Sequence, residues 1–400
     1  MIYLDHAASD NMREAVRKAM KEVEASLGNA SSVHTMGYRA RALINEAKSR
    51  IAGTATLFGP GGVGDNELIF TSGATEGNNY CIKMTAAAVA LDNRISCPHG
   101  ICDQHFVTTA IEHASVLESF HFLEQLGAKV TYLKPDSQGI VDREAVLGAI
   151  RPNTVLVSVM AANNEVGTLQ PVAAIGENLR RLPYNSFGRR MLYHVDGVQA
   201  FGRMPIPVKS AGIDLLTVSS HKIGGPKGIG LVYQSKEIRL PALLSGGGQE
   251  EGRRSGTEAE VLAVGLMTAV DEAERNYLSD TAYIRQLRDF FGNELQKRFG
   301  DKIHINGSLG RRLPGNLNIT IDCNAGGNQL VAELDLAGIA ASTGSACTQS
   351  SREPSHVLLA MGVGREQAER SLRFSLGREN TREEMLYTID TIEKIVQKYR

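Results

Sequence analysis

The feature that most constrains the fold is a repeated alternation between short apolar runs and longer amphipathic stretches. Helical spacing is present over residues 37–55 and 172–182. Strand-like runs lie at residues 67–71, 105–109, 129–133, 154–160, 191–195, 214–219 and 230–233. Such alternation is typical of a parallel sheet covered by helices. We therefore predict an α/β fold with a mostly parallel seven-stranded sheet, whose ligands bind beyond the carboxyl ends of the strands.

The pattern changes after about residue 264. A long charged helix is predicted over residues 269–298, followed by a break near Pro314 and an alternating strand over residues 316–322. The chain has 400 residues, and a single core stops growing at roughly 250–300 residues. We predict a large domain over residues 16–263, and a smaller α+β domain formed by residues 1–15 with 264–400. Residues 58–66 and 92–104 are predicted insertions.

Composition and charge exclude several classes of protein. Lys and Arg number 43 against 44 Asp and Glu, a formal net charge of −1, so no global field draws the chain to nucleic acid or anionic lipid. No apolar run approaches the ~18 residues of a membrane span, and the first residues do not form a secretion signal. Five scattered cysteines argue against a disulfide framework. We expect a cytoplasmic protein.

The most informative segment spans residues 218–231, where Lys222 closes a strand and glycines follow at once. A glycine-rich turn lets a planar group approach the backbone, and a desolvated lysine amine there can form a Schiff base. The alternative is a solvated lysine at a turn, which is the commoner fate of a single lysine. Two further segments weigh against that alternative.

Asp196 ends an apolar strand, and residues 70–79 run from a strand through Gly73 into a helix start. A carboxylate can keep a ring nitrogen protonated, although an aspartate there is also a common helix N-cap. Free N–H groups at a helix start bind phosphate, but such starts are common. Together the three segments supply an amine, an acid and a phosphate site, and this combination indicates pyridoxal phosphate.

The chain resembles the cysteine desulfurases of the class V, fold type I pyridoxal-phosphate family, which includes the iron–sulfur and nitrogenase-associated enzymes. The matching segments span nearly the whole length; they lie at residues 3–8, 28–34, 70–79, 112–113, 163–167, 195–199, 219–222, 253–257, 345–347 and 372–375. The resemblance implies that Lys222 carries the cofactor as a Schiff base, that Asp196 partners the pyridine nitrogen, and that His113 stacks over the ring and helps to move protons.

The resemblance also implies the remaining contacts. Gln199 bonds the ring hydroxyl, and Thr257 reaches across a homodimer to the phosphate of the partner's site. The other residues implied to hold the phosphate are Ala74, Thr75, Ser219 and His221. Asn164 and Arg373 match the positions that hold the substrate carboxylate, a task for which a planar guanidinium is suited because it offers a bidentate fork.

Cys347 lies in a run of small and polar residues, 340–355, without strong periodicity. We expect a mobile loop, which suits a thiol that must collect sulfur at one site and deliver it at another; the alternative is a buried apolar cysteine. The resemblance implies that Cys347 is the persulfide-forming nucleophile of a subgroup with an extended catalytic loop. The predicted function is removal of sulfur from L-cysteine to give L-alanine and a persulfide, which passes to a sulfur-acceptor or iron–sulfur scaffold protein or a thiolation pathway.

Three alternatives stay open at this point. A selenocysteine lyase or a class V aminotransferase would share the cofactor and would not need Cys347. A metal-binding or sulfur-carrier module would use the thiols around Cys97. The span Cys97, His99, Cys102 and His105 has zinc-like spacing but lacks paired Cys-x2-Cys knuckles, so we favour an ordinary surface insertion and predict no metal in the active site. Cys81 and Cys323 are expected to be packing residues.

Overall fold

The computed structural model describes residues 1–25, 28–92, 100–344 and 353–399. Its strands are β1 (Ile2–Tyr3), β2 (Leu68–Thr71), β3 (His105–Thr109), β4 (Lys129–Leu133), β5 (Thr154–Ser158), β6 (Leu192–Asp196), β7 (Leu215–Ser219), β8 (Gly230–Gln234), β9 (Ile303–Asn306), β10 (Asn316–Ile321), β11 (Ile339–Ala340) and β12 (Ser371–Ser375). Its helices are α1 (Glu14–Glu24), α2 (Thr35–Ala52), α3 (Ala55–Phe58), α4 (Ala74–Ala90), α5 (Ala114–Gln125), α6 (Arg143–Gly148), α7 (Val172–Leu179), α8 (Glu260–Phe299), α9 (Gly327–Leu336), α10 (His356–Ala360), α11 (Arg365–Glu369) and α12 (Arg382–Lys398).

The structure has two bodies, each built around its own sheet and hydrophobic cluster. A seven-stranded sheet forms the centre of the larger body, with strand order β2-β8-β7-β6-β5-β3-β4. The pairs from β7 through β4 are parallel, and β8 is antiparallel to both of its neighbours. Strands β5 and β7 are buried along their whole length, as expected of a parallel sheet covered on both faces. The predicted α/β fold with a mostly parallel seven-stranded sheet is confirmed.

Helix α4 lies unusually close to this sheet. A Cβ atom added at Gly77 would lie 2.8 Å from the Cγ2 atom of Thr217 in β7 and 3.0 Å from that of Val232 in β8. These distances leave no room for a side chain. Glycine at this position therefore sets the approach of α4 to the sheet, and with it the position of the residues that follow Gly77 along the helix.

A separate hydrophobic cluster belongs to the second body. It is built around an antiparallel sheet of order β12-β10-β9, on which Phe291 of α8 and Ile389 of α12 pack together with Phe374 of β12. The chain's first strand joins this body, because β1 pairs in parallel with β11. The predicted domain boundaries stay a prediction.

Helix α8 runs through both bodies. Val264 and Val270 lie in the cluster of the large sheet, whereas Leu287 and Leu295 lie in the second cluster. The helix begins at Glu260, nine residues before the predicted start. Its first turns are apolar on most sides and buried, so they lack the polar stripe by which an amphipathic helix is recognised.

The two predicted insertions differ in what can be described. Residues 59–64 turn back onto the end of α2, where the N–H of Val63 donates to the carbonyl of Ala52 at 2.9 Å, and Gly59 and Gly62 in this turn have positive φ. Of the second insertion, residues 100–103 form a short 3-10 helix. Across the described ranges, no helix combines the length and apolar character needed to cross a membrane.

Candidate active site

One cavity of about 610 Å³ opens where strands β6 and β7 end. Its volume falls within the range of small-molecule and cofactor sites, roughly 300–1,000 Å³. The predicted site residues that line it are Ala74, Thr75, His113, Asn164, Asp196, Gln199, Ser219, His221, Lys222 and Arg373. The fold therefore brings together ten residues that are spread over about 300 positions of the sequence.

Lys222 enters the cavity from a short turn. Strand β7 ends at Ser219, and the turn Ser220–Lys222 follows at once. A Cβ atom added at Gly225 would lie 2.1 Å from the Oγ atom of Ser220. The chain can therefore turn back this close to Ser220 only with glycine at position 225. The Nζ atom of Lys222 donates to the carbonyl oxygens of Ala7 and Ala8, each at 2.7 Å.

Asp196 is the last residue of β6, and both of its carboxylate oxygens accept hydrogen bonds. The N–H of Val198 donates to Oδ1 at 3.0 Å, and the side-chain amide of Asn78 donates to Oδ2 at 2.8 Å. These two donors fix the orientation of the buried carboxylate. Close by, the side-chain amide of Gln199 donates to the carbonyl of Ala7 at 3.0 Å.

Both histidines of the predicted site, His113 and His221, line the same cavity. His113 is the N-cap of α5, where its Nδ1 atom accepts the N–H of Ser115 at 3.1 Å. The pKa of His221 is lowered to about 4, chiefly by burial and then by the positive charges of Lys222 and Lys227. His221 is therefore neutral at physiological pH and can act there as a hydrogen-bond donor without adding charge.

The start of α4 lies at the other side of the cavity. Its first residues, Ala74 and Thr75, present backbone N–H groups that have no partner within the helix. Glu76 brings a carboxylate close to this helix start, but Arg254 donates to it through Nε at 2.8 Å. The arginine compensates the negative charge, which leaves the helix start attractive to an anion.

Asn164 and Arg373 lie next to each other. The guanidinium of Arg373, only 2% exposed, donates through Nη1 to the carbonyl of Asn164 at 2.9 Å and pairs through Nη2 with Asp5 at 2.7 Å. The Nε atom of Arg373 and the Oδ1 atom of Asn164 are buried and have no hydrogen-bond partner within the described ranges. A bound polar molecule can supply partners for both atoms.

Two predicted residues are not placed in this cavity. Thr257 is exposed and lines a smaller neighbouring cavity together with Ser72 and Gly228. Cys347 lies outside the described residues. The chain on either side of it is described: Gly344 and His356 both line the main cavity, and Ser355 donates to the carboxylate of the buried Glu165 at 2.5 Å.

Sequence reasoning missed four polar residues at or near the cavity. Glu165 and His356 line it directly. Asn78 donates a hydrogen bond to the carboxylate of Asp196, and the hydroxyl of Ser115 lies within hydrogen-bond distance of Nδ1 of His113. One signal was present for Asn78, because it follows Ala74 by four positions and so lies on the same face of α4. No pattern in the sequence distinguishes Ser115 from the other serines of α5.

The cysteine and histidine cluster in the second insertion is only partly described. Both ring nitrogens of His105 lie within hydrogen-bond distance of threonine hydroxyls, Thr154 at 2.7 Å and Thr131 at 2.9 Å, and burial lowers the pKa of His105 to about 4. The thiol of Cys102 donates to the carbonyl of Leu126 at 3.2 Å. Cys97 and His99 lie outside the described residues.

The fold and the cavity define a pyridoxal-phosphate enzyme of fold type I. The model of the aminotransferase class-V family matches residues 2–387, and the chain belongs to this family. It is 39% identical to a cysteine desulfurase IscS of Dictyoglomus turgidum, over 100% of this chain and 95% of that protein. It is 40% identical to a cysteine desulfurase IscS of Methanosarcina thermophila, over 100% of this chain and 93% of that protein.

Solved structures agree with these relatives. A NifS-like protein has a TM-score of 0.87 at 33% identity, with 99% of each chain covered. SspA in complex with cysteine has a TM-score of 0.78 at 32% identity, with 95% of this chain and 100% of that chain covered. The predicted membership in the cysteine desulfurase group of class V pyridoxal-phosphate enzymes is confirmed.

Proposed function

We propose that the cavity binds pyridoxal phosphate and L-cysteine, and that the chain removes the sulfur of cysteine, releasing L-alanine and leaving a persulfide on Cys347. The observation that carries this proposal is the convergence of the Lys222 amine, the Asp196 carboxylate and the start of α4 on one cavity of about 610 Å³. These are the three groups that an aromatic aldehyde with a phosphate requires, namely a nucleophile, a partner for the ring nitrogen and a site for an anion.

The donor set fits the cofactor. Asp196 would hold the ring nitrogen, because its carboxylate is oriented by Val198 and Asn78. The backbone at Ala74 and Thr75 would hold the phosphate, with Ser219 and His221 from the edge of β7, and Gln199 would contact the ring hydroxyl. When bound, pyridoxal phosphate supplies an aldehyde that condenses with amines and a cationic ring that stabilises negative charge on the substrate carbon.

The chain's own groups would handle the protons. The hydrogen bonds from Lys222 to the carbonyls of Ala7 and Ala8 fit an ammonium group, which must lose a proton before the nitrogen can react. The neutral amine can then act as a nucleophile or accept the proton from the substrate α-carbon. Arg373 and Asn164 would orient the substrate carboxylate, and we assign to His113 a contact with the face of the ring.

The overall reaction balances without an outside reductant. The carbon–sulfur bond of cysteine breaks, a sulfur–sulfur bond forms on Cys347, and the proton of the Cys347 thiol is matched by the hydrogen that the product alanine gains. A thiolate is the attacking form of a cysteine, so a group in the cavity must take that proton. The persulfide then remains on the protein until an acceptor removes it.

We further propose a cytoplasmic homodimer that delivers sulfur to an acceptor or scaffold protein, for iron–sulfur cluster assembly or for thiolation. The position of Thr257 supports the dimer, because this residue lies at a neighbouring cavity and not at the cavity of Lys222 in its own chain. A phosphate contact by Thr257 is compatible with a second copy of the chain placing it there.

The test compares Lys222→Ala with Lys236→Ala, an exposed lysine beyond the end of β8. We expect Lys222→Ala to abolish alanine formation from cysteine and to change the absorbance of the bound cofactor, because the amine that binds it is gone. Lys236→Ala should match the wild type. Full activity of Lys222→Ala would refute the assignment of the cavity.

A second comparison tests the sulfur acceptor. Cys347→Ala should lose alkylatable persulfide and sulfide release from cysteine, whereas Cys102→Ala, which changes an exposed thiol in the second insertion, should keep both. Undiminished sulfide release by Cys347→Ala would instead favour a lyase or aminotransferase in which this cysteine is dispensable.

A further inference from the structure

A chain of hydrogen bonds joins the carboxylate of Asp196 to the imidazole of His113. The side-chain amide nitrogen of Asn78 lies 2.8 Å from Oδ2 of Asp196 and 2.9 Å from Oγ of Ser115. The same Oγ atom lies 2.8 Å from Nδ1 of His113. Asn78 is fully buried, and Ser115 is 9% exposed. Residues 118 positions apart in the sequence, Asn78 and Asp196, thus belong to one polar network.

The direction of each hydrogen bond in this network follows from what each group can donate. Asn78 turns its NH₂ group to Asp196, whose Oδ2 atom accepts. The second hydrogen of that NH₂ group is then directed to Ser115, whose oxygen accepts it. Within the described ranges the Oδ1 atom of Asn78 has no hydrogen-bond partner, so the NH₂ group alone sets the orientation of this side chain.

The hydroxyl of Ser115 links Asn78 to His113. Its hydroxyl oxygen accepts from Asn78 and its own hydrogen is left to donate, and Nδ1 of His113 lies within reach at 2.8 Å. The backbone N–H of Ser115 donates to the same nitrogen at 3.1 Å. An imidazole nitrogen that receives two donors carries no hydrogen of its own. The hydrogen of the neutral ring must therefore lie on Nε2.

We propose that Asn78 and Ser115 are positioning residues that hold His113 as the neutral tautomer with its hydrogen on Nε2, in fixed relation to Asp196. The effect of this fixed tautomer on turnover rests on the function proposed above, in which Asp196 and His113 both contact the cofactor ring. His113 held in this form donates from Nε2. To take up a second proton on Nδ1, it must break the hydrogen bonds from Ser115.

The test observes the histidine directly in the full-length protein with its cofactor bound. Histidine is labelled with ¹⁵N, and the signal of His113 is identified by its loss in His113→Gln. Nitrogen chemical shifts distinguish the two tautomers from the cation. We expect the Nε2–H form at pH 7.5 in the wild type. Ser115→Ala should raise the pH at which His113 becomes protonated by about 0.5 to 1 pH unit, the effect of losing one hydrogen bond between neutral groups.

Matched variants separate this effect from general disturbance of α5. Ser119→Ala removes a buried hydroxyl one turn further along, which donates to the carbonyl of Ser115 at 2.7 Å and does not contact His113; it should titrate as the wild type does. Ser115→Thr keeps the hydroxyl and should restore the wild-type titration. Asn78→Ala combined with Ser115→Ala should shift His113 no further than Ser115→Ala alone, because the two residues act in series.

Several outcomes overturn the proposal. A wild-type His113 that carries its hydrogen on Nδ1, or that is already a cation at pH 7.5, contradicts it, and so does an identical titration of Ser115→Ala and the wild type. If Asn78→Ala does not fold, the comparison of Ser115→Ala with Ser115→Thr still decides. The measurement needs no turnover, so its failure in a protein that still desulfurates cysteine rejects this inference and leaves the proposed function standing.

Discussion

Glu112 offers a sharp test of the electrostatics behind the active site. It precedes His113, is fully buried, and accepts through Oε1 from the Thr109 hydroxyl at 2.7 Å and the Met160 N–H at 2.9 Å. Its Oε2 atom has no hydrogen-bond partner in the described part of the chain. Burial raises the pKa of Glu112 from 4.5 to about 8, with a further contribution from the negative charge of Asp196.

The sign of the consequence follows from the two protonation equilibria. The unfolded chain releases this proton near pH 4.5, whereas the folded chain keeps it until about pH 8. The free energy of unfolding therefore falls as the pH rises between these values and levels off above them. The interval of about 3.5 pH units, at 1.36 kcal/mol per unit, corresponds to about 5 kcal/mol by order of magnitude.

Glu112→Gln removes this titration and keeps the shape of the side chain. We expect the loss of stability between pH 5 and pH 8.5 to be smaller in Glu112→Gln than in the wild type by several kcal/mol, measured by urea unfolding at each pH. The unpaired amide of the new glutamine costs stability, but this cost does not depend on pH. Glu118→Gln is the control, because Glu118 lies on α5, the helix that follows Glu112, with its side chain 76% exposed.

Parallel curves of stability against pH for the wild type and Glu112→Gln would refute this reasoning. That result would mean that Glu112 is ionised in the folded protein at neutral pH, and that another group compensates its charge. A change of slope in Glu118→Gln as large as that in Glu112→Gln would equally contradict the link between the slope and burial.

Two other substitutions test the neighbours of the site. Arg373→Lys keeps a positive charge beside Asp5 but loses the planar fork that can bind a carboxylate with two hydrogen bonds. A charge-assisted hydrogen bond contributes roughly 1.5 to 3 kcal/mol, so its loss should raise the Michaelis constant for cysteine at least about tenfold. Steady-state kinetics with an unchanged Michaelis constant would contradict the assigned role. Lys48→Met breaks an ion pair in which Glu250 is only 2% exposed, and should cost about 3 to 5 kcal/mol in urea unfolding; a loss below 1 kcal/mol would show that this pair is well hydrated.

The sequence predicted the large sheet well because its strands are short apolar runs, and all of them except β4 are almost entirely buried. Six of the seven predicted strands match the observed bounds within one residue at each end, and β5 ends two residues earlier than predicted. The convergence of Lys222 and Asp196 followed from the same pattern, since neighbouring parallel strands end at one edge of a sheet. Local sequence therefore carries the information for this part of the site.

Pairings between distant parts of the chain could not be predicted in this way. The early start of α8 was missed because its first turns are apolar on most sides. The pairing of β1 with β11 joins residues more than 330 positions apart, and two residues of β1 carry no pattern that names a partner. The hydrogen bond of Asn78 to Asp196 has the same origin, because it depends on how closely Gly77 lets α4 approach the sheet.

The N-terminal segment shows most clearly what tertiary contacts add. Asp5 pairs with Arg373, Ala7 accepts from both Lys222 and Gln199, and Ala8 accepts from Lys222. This segment follows β1, which belongs to the second body through its pairing with β11, yet it contacts groups held by the large sheet. A change in the relative position of the two bodies would therefore shift the carbonyls of Ala7 and Ala8 against the Lys222 amine. The environment of that amine is therefore set jointly by both bodies.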